Sequence, residues 1–176
     1  MKMHGLGNDF VVIDARKRDI RISQKFISSI ADRHFGVGFD QLAVISKGEF
    51  DAHLTFYNAD GSESLVCGNA TRCIARHLMD EASKESLILT TRHGQIPTLD
   101  LGNGVTSVNM GQPGLEWNEV PLSEKIPTLE LPIEGSPTAT GMGNPHCTFF
   151  VEDAARINLD EMGPKFENHP LFPERT

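Results

Sequence analysis

Residues 56–78 read FYNADGSESLVCGNATRCIARHL, from Phe56 to Leu78. A strand-like run ends in a polar turn around Asn58-Ala-Asp-Gly, and a lone cysteine, Cys67, then stands directly before Gly68-Asn69 and a helical pattern. Along that pattern Ala70, Ile74, Leu78 and Ala82 recur in steps of four, with Thr71, Ala75 and Met79 beside them. So wide an apolar stripe predicts a deeply buried helix. Cys67 is a chemical position, because the unpaired N–H groups and the dipole of a helix start favour a thiolate.

Outward from this helix the chain alternates short strands with turns. Phe10–Asp14 reads as a strand after a Gly-Leu-Gly-Asn turn, and Ser23 as the N-cap of a helix carrying Phe26, Ile27, Ile30 and Ala31. Gln41–Ser46 and His53–Tyr57 read as strands. Beyond Lys84 come Leu87–Thr91, Gln95–Leu101 and Val105–Met110, separated by His93-Gly94 and Gly102-Asn103-Gly104. Residues 112–125 read as a loop. Strands follow near Thr138–Gly141 and Thr148–Val151, with a short helical piece after Asp153. The expected fold is α+β, a mostly antiparallel sheet wrapped around the central helix, in one domain spanning residues 1–176. The last ten residues, Glu167–Thr176, are turn-rich and read as a loop.

Composition excludes several classes. The net charge of −8 argues against a nucleic-acid surface or a polybasic membrane anchor. No apolar run approaches the roughly 20 residues needed to span a bilayer, and the N-terminus lacks the pattern of a signal peptide. The cysteines are Cys67, Cys73 and Cys147, an odd number without a CxxC pair, which fits a reducing cytoplasm rather than a disulfide framework. No HExxH, Walker loop or complete dinucleotide fingerprint is present, and no lysine stands in a context suited to pyridoxal phosphate. The expectation is therefore chemistry without metal or cofactor.

Four polar clusters surround the elements: His4-Gly-Leu-Gly-Asn8-Asp9, Gly36-Val-Gly-Phe-Asp40-Gln41, Asn58-Ala-Asp-Gly-Ser-Glu63 and Gly143-Asn144-Pro-His146. Each sets an amide or carboxylate beside glycine at an element boundary, where side chains can converge on a ligand. Taken singly, each is ordinary turn chemistry. Together with Cys67 they point to a small, doubly polar metabolite, because amides can donate to carboxylates and accept from ammonium groups. Free N–H groups at Gly68 and Asn69 suit a substrate carboxylate. Its α-carbon would then lie beside Cys67, placed to exchange a proton. A free cysteine can also be simply a small buried residue; the helix-start position between glycine and turn favours the functional reading. Cys73 lies six residues further, roughly 9 Å by helical rise, and reads as core, as does Cys147. His146 either orients a catalytic group or caps the turn after Pro145.

These residues carry a resemblance. The segments KMHGLGNDFVVID, ADRHFGVGFDQL, FYNADGSESLVCGNATRC, VNMGQP, MGNPHC and HPLFPERT, in this order along the chain, resemble the diaminopimelate epimerases. The resemblance implies cofactor-free, two-base interconversion of LL- and meso-diaminopimelate, on the route to lysine and peptidoglycan. It implies a fold of two pseudo-symmetric α/β domains with the active site in the cleft between them. Cys67 would be one of two catalytic cysteines and His146 a second catalytic residue. Gly68 and Asn69 would hold the α-carboxylate, and Asn8, Gln41, Asn58 and Asn144 would contact the substrate. The full-length enzyme would be a cytoplasmic homodimer.

The family places its second cysteine, and a Glu-Arg pair, in a C-terminal domain that these residues do not match. The chain is therefore expected to be the N-terminal domain ending in an interdomain loop, inactive without its missing C-terminal partner. Rival readings keep the fold but change the reaction, as in proline racemases and phenazine-pathway isomerases. Others make the chain an inert binding module, or a Cys-His hydrolase using Cys67 and His146.

Overall fold

The computed structural model describes residues 1–176. Its contacts divide the chain into two units, Met1–Met110 and Gly111–Thr176.

In the first unit the strands are β1 (Lys2–Gly5), β2 (Asn8–Asp14), β3 (Gln41–Ser46), β4 (Ala52–Asn58), β5 (Glu63–Ser64), β6 (Ser86–Thr91), β7 (Gly94–Asp100) and β8 (Thr106–Val108). Two helices join them, α1 (Gln24–Ala31) and α2 (Gly68–Ala82). The strands form one sheet in the order β1-β2-β3-β4-β6-β7-β8, with the short β5 added to β4. Pairing is antiparallel except for β2 with β3 and β4 with β6. Those two parallel pairs are the ones whose connections contain α1 and α2, because a parallel neighbour needs a crossover. The mixed, mostly antiparallel α+β sheet expected from the sequence is what the chain forms.

Period-two alternation decides which helix covers which face. Phe10 and Val12 of β2, Ala43 and Ile45 of β3, and Leu54 and Phe56 of β4 pack with Ala70, Ile74, Ala75, Leu78 and Met79 of α2. The intervening residues Val11, Ile13, Leu42, Val44 and Tyr57 pack with Ile27 and Ala31 of α1. Strands covered on both faces read as continuous apolar runs, which is why Phe10-Val-Val-Ile is so legible. Ser23 caps α1 as expected, its hydroxyl accepting from the Phe26 N–H at 3.2 Å.

The second unit contains the antiparallel hairpin β9 (Thr138–Gly141) and β10 (Pro145–Thr148), a single 3₁₀ turn at Ala154–Arg156 capped by Asp153, and helix α3 (Leu159–Glu167). Val120, Leu122, Leu131, Ala139, Leu171 and Phe172 form its core. Residues 112–125 carry no strand or helix, as expected.

Three elements depart from the sequence reading. The strand expected at Thr148–Val151 lies instead at Pro145–Thr148, since pairing of His146 with Thr140 and Cys147 with Ala139 sets the register and leaves Phe150 exposed. The two-residue strand β5 forms where only a polar turn was read, while α3 follows Asp153, where a short helical piece was expected. Strand β1, half exposed and without an apolar run, was not expected; it is held by the two-residue Leu6-Gly7 turn to β2. Both turn residues have positive φ (54° and 88°), the geometry that matches the twist of a hairpin.

No helix is long and apolar enough to cross a membrane. The α2 face sets the strength of the first unit, and Ile74 is fully buried in it. Ile74→Ala is expected to cost about 2–5 kcal/mol through lost burial and the cavity left behind. Urea denaturation followed by far-UV circular dichroism measures this, because the single tryptophan, Trp117, reports on the second unit.

Candidate active site

Register brings the first three polar clusters to one end of the sheet. Gln41, the first residue of β3, pairs with Phe10 of β2 and with Asn58, the last residue of β4. Asn8 opens β2 next to this edge. Strand β5 then returns along β4, with Ser64 opposite Phe56, and delivers the chain to Cys67.

Cys67 is the N-cap of α2, in extended backbone conformation and 8% exposed. Its Sγ accepts from the Ala70 N–H at 3.4 Å and donates to Asn8 Oδ1 at 3.7 Å. Asn69 Nδ2 donates to the same Asn8 oxygen at 3.3 Å, and Arg72 Nη2 donates to Asn69 Oδ1 at 2.6 Å. Cys67, Asn8 and Asn69 therefore form one contact group. Gln41 and Asn58 form another: Gln41 Nε2 donates to Ser64 Oγ at 3.1 Å and lies 3.5 Å from Asn58 Oδ1, while Asn58 Nδ2 donates to Ser62 Oγ at 3.1 Å.

The start of α2 is open in front and crowded behind. A side chain added at Gly68 would meet nothing nearer than Met110 Sδ at 4.0 Å. One added at Gly5 would come within 3.0 Å of Asn69 Cβ. Glycine at position 5 thus lets β1 pass close behind the first turn, and glycine at position 68 leaves the approach to its N–H groups clear.

The thiol is shaped by two opposed effects. Burial pushes the Cys67 thiol up from its ordinary 9.0, and the N–H groups of Ala70 and Asn69 pull it down more weakly. Burial is the larger of the two effects. The sequence shows the helix start that favours a thiolate but not the depth of burial that opposes one. Alkylation of Cys67 by iodoacetamide, read residue by residue by mass spectrometry, should keep rising as pH passes about 9. A rate that levels off below about pH 8 would contradict the assignment.

Behind Asn8 lies a charged group that the sequence reading quoted but did not assign. Arg33 donates to both Asp9 oxygens at 3.0 and 2.8 Å and to Asp40 Oδ1 at 2.8 Å. Lys2 Nζ reaches Asp9 Oδ2 at 2.8 Å and also the Gly38 carbonyl. Hydrogen bonds from Arg33 first, then from Lys2, hold the Asp9 carboxyl well below its ordinary 3.8. A depressed carboxyl contributes stability above its unfolded value and loses it as pH falls through and below that value. Asp9→Asn should accordingly flatten the acid side of the pH–stability curve below about pH 4, measured by chemical denaturation. Arg72 was also missed, although its i,i+3 spacing from Asn69 on a helix is a readable signal.

Asn144 and His146 belong to the second unit. Asn144 is exposed in the β9–β10 turn, where its carbonyl accepts from the Met142 N–H at 3.1 Å. His146 is exposed on β10 and lines a cleft of about 620 Å³ with Cys147, Phe149, Met162 and Phe166. Burial pushes the Cys147 thiol up to about 11. No group of three His, Cys, Asp or Glu side chains is arranged to hold a metal ion.

The chain can now be set beside known proteins. A family model described as diaminopimelate epimerase matches residues 1–116. A diaminopimelate epimerase of Pelagibacter ubique is 44% identical over 185 residues, covering 99% of this chain and 67% of that protein. One from Acidiphilium cryptum is 45% identical over 182 residues, covering 100% and 65%. Among solved structures, a predicted epimerase from Pseudomonas aeruginosa superimposes with a TM-score of 0.57 at 15% identity, over 90% of this chain and 61% of that one. That last likeness is one of fold. The chain spans about two thirds of the length of the curated relatives it matches.

Proposed function

This chain belongs to the diaminopimelate epimerase family, an isomerase family acting on an amino acid, and on that premise we propose that it supplies one of the two bases that invert LL- to meso-diaminopimelate. The observation that carries the proposal is Cys67: a sulfur at the start of a buried helix, in front of an open first turn, beside the Asn8 amide. The substrate α-carboxylate docks on the N–H groups of Gly68 and Asn69, where the dipole favours an anion. This brings the α-carbon next to Cys67 Sγ.

Inversion needs a proton removed from one face of that carbon and another delivered to the opposite face. A thiolate on one side takes the α-proton and becomes a thiol. The electron pair left on carbon takes the proton of the thiol on the other side, which becomes the thiolate. Cys67 acts as the proton donor of the pair in one direction and as the proton acceptor in the reverse. Gln41 and Asn58 recognise the distal amino-acid head of the substrate.

Cys73 is not the second base. It lies on the same helix as Cys67, and its Sγ is engaged by the His4 carbonyl at 3.6 Å. Cys147 belongs to the second unit, where it pairs with Ala139 in the β9–β10 hairpin. In this reading the second base comes from outside residues 1–176, which act as the N-terminal part of a cytoplasmic, homodimeric enzyme.

An inert binding module is the second reading, favoured by the burial that pushes the Cys67 thiol up. One experiment addresses both readings. The 176-residue chain is incubated with LL-diaminopimelate, isomers are quantified by chiral chromatography, and binding is followed by calorimetry with proline as the comparison ligand. The expected result is binding of diaminopimelate but not proline, weakened about tenfold or more in Asn58→Ala if one charge-assisted hydrogen bond is lost, and no turnover above Cys67→Ala. Turnover above that control refutes the division of labour between two bases. Equal binding of proline refutes the substrate.

A further inference from the structure

Asn8 is gripped at both ends. Its Nδ2 donates to Asp40 Oδ2 at 3.1 Å, while its Oδ1 accepts from Cys67 Sγ at 3.7 Å and from Asn69 Nδ2 at 3.3 Å. An ionised carboxylate only accepts, so the NH₂ end of the amide must face Asp40 and the carbonyl end must face the sulfur. The other side agrees. Arg72 only donates, so it takes Asn69 Oδ1 and leaves the Asn69 NH₂ for Asn8. Two constraints from different elements fix the same orientation.

Asp40 is itself immobilised. Arg33 Nη2 holds its Oδ1 at 2.8 Å, and the Asp9 N–H donates to its Oδ2 at 3.1 Å. In return the Asp40 N–H donates to Asp9 Oδ1 at 3.0 Å. Arg33, just beyond α1, thus ties together the residues that precede β3 and open β2.

We infer that Asp40, latched by Arg33, is a positioning residue that locks the Asn8 carbonyl toward Cys67 and so favours the thiol over the thiolate at that sulfur. The reading rests on Cys67 as the proton-transfer group. A carbonyl oxygen accepts an S–H, but faces a thiolate with a lone pair turned toward negative charge. Were the amide to flip, its NH₂ would donate to the sulfur and favour the thiolate instead. From its own helix the groups that act on Cys67 are the Ala70 and Asn69 N–H groups, Cys73 and Arg72. From the sheet side the group in contact is the Asn8 amide, backed by Asp40. Asp40 thus acts through Asn8 and does not need to touch the substrate.

The test is the pH profile of Cys67 alkylation by iodoacetamide, read at that residue by mass spectrometry, in Asp40→Asn. An asparagine at this position can donate or accept, so Asn8 is free to turn. Alkylation of Cys67 below the thiol midpoint is expected to accelerate about fivefold, the scale of one ordinary hydrogen bond changing sides. Removing a negative charge would also speed the reaction, so Asp40→Asn is repeated in an Asn8→Leu background. Loss of the acceleration there supports positioning through Asn8. An acceleration that persists, or none in the first place, overturns it. If circular dichroism shows Asp40→Asn unfolded, Arg33→Gln is read by the same criteria, since it keeps the carboxylate and releases its latch. The readout needs no turnover, so failure of the epimerase assignment and failure of this inference are separately visible.

Discussion

Helix α2 runs through the core from its first turn, and the leading N–H groups of any helix have no partner within it. Water cannot satisfy them all at that depth, so the chain must. Cys67 Sγ takes the Ala70 N–H, and its carbonyl takes both the N–H and the hydroxyl of Thr71, at 2.9 and 2.8 Å. Once this end is secured, Ile74, Ala75, Leu78 and Met79 can be covered by alternate residues of β2, β3 and β4. The same strand alternation then leaves a second apolar face for α1. Capping, sheet order and the position of the reactive sulfur are thus consequences of a single demand, that a buried helix start be given acceptors.

Around this apolar frame the charges are arranged for direction more than for strength. Exposed ion pairs contribute roughly 0–1 kcal/mol each, and Arg33 is half exposed. What the Lys2–Asp9–Arg33–Asp40 group supplies is orientation: a forked cation with two carboxylates has few ways to bond, and the amide beside it has only one. A chain of net charge −8 also gains from placing its cations where acids crowd together. The site is polar at its edge and buried at its sulfur.

Legibility in the sequence followed the physical origin of each feature. Helix α2 and strand β3 were readable because their burial patterns are intrinsic, a stripe at helical period and a run covered on both faces. Strand β1 was not, since its four residues are half exposed and owe their conformation to pairing with β2. Helix α3 was legible only as a short helical piece after Asp153, without its bounds. In the site, Asn8, Gln41, Asn58 and Cys67 stood out because each lies beside a turn at an element boundary. Asp40 and Arg72 did not, because their roles depend on which amide the register of β2 and the first turn of α2 bring within reach. The burial of Cys67 was not readable for a related reason: a sequence displays a helix dipole but not what surrounds it.

Reactive residues commonly sit at a cost to folding, held in strained or desolvated positions. Cys67 is desolvated too, yet the sulfur we propose to meet the ligand is also the atom that caps the helix. Its loss to alanine removes both functions together. Serine, whose oxygen is among the preferred helix caps, would separate them, keeping the fold while removing the thiol. Drift through serine at this position therefore offers a short route from a working half-site to a well-folded descendant freed for another task.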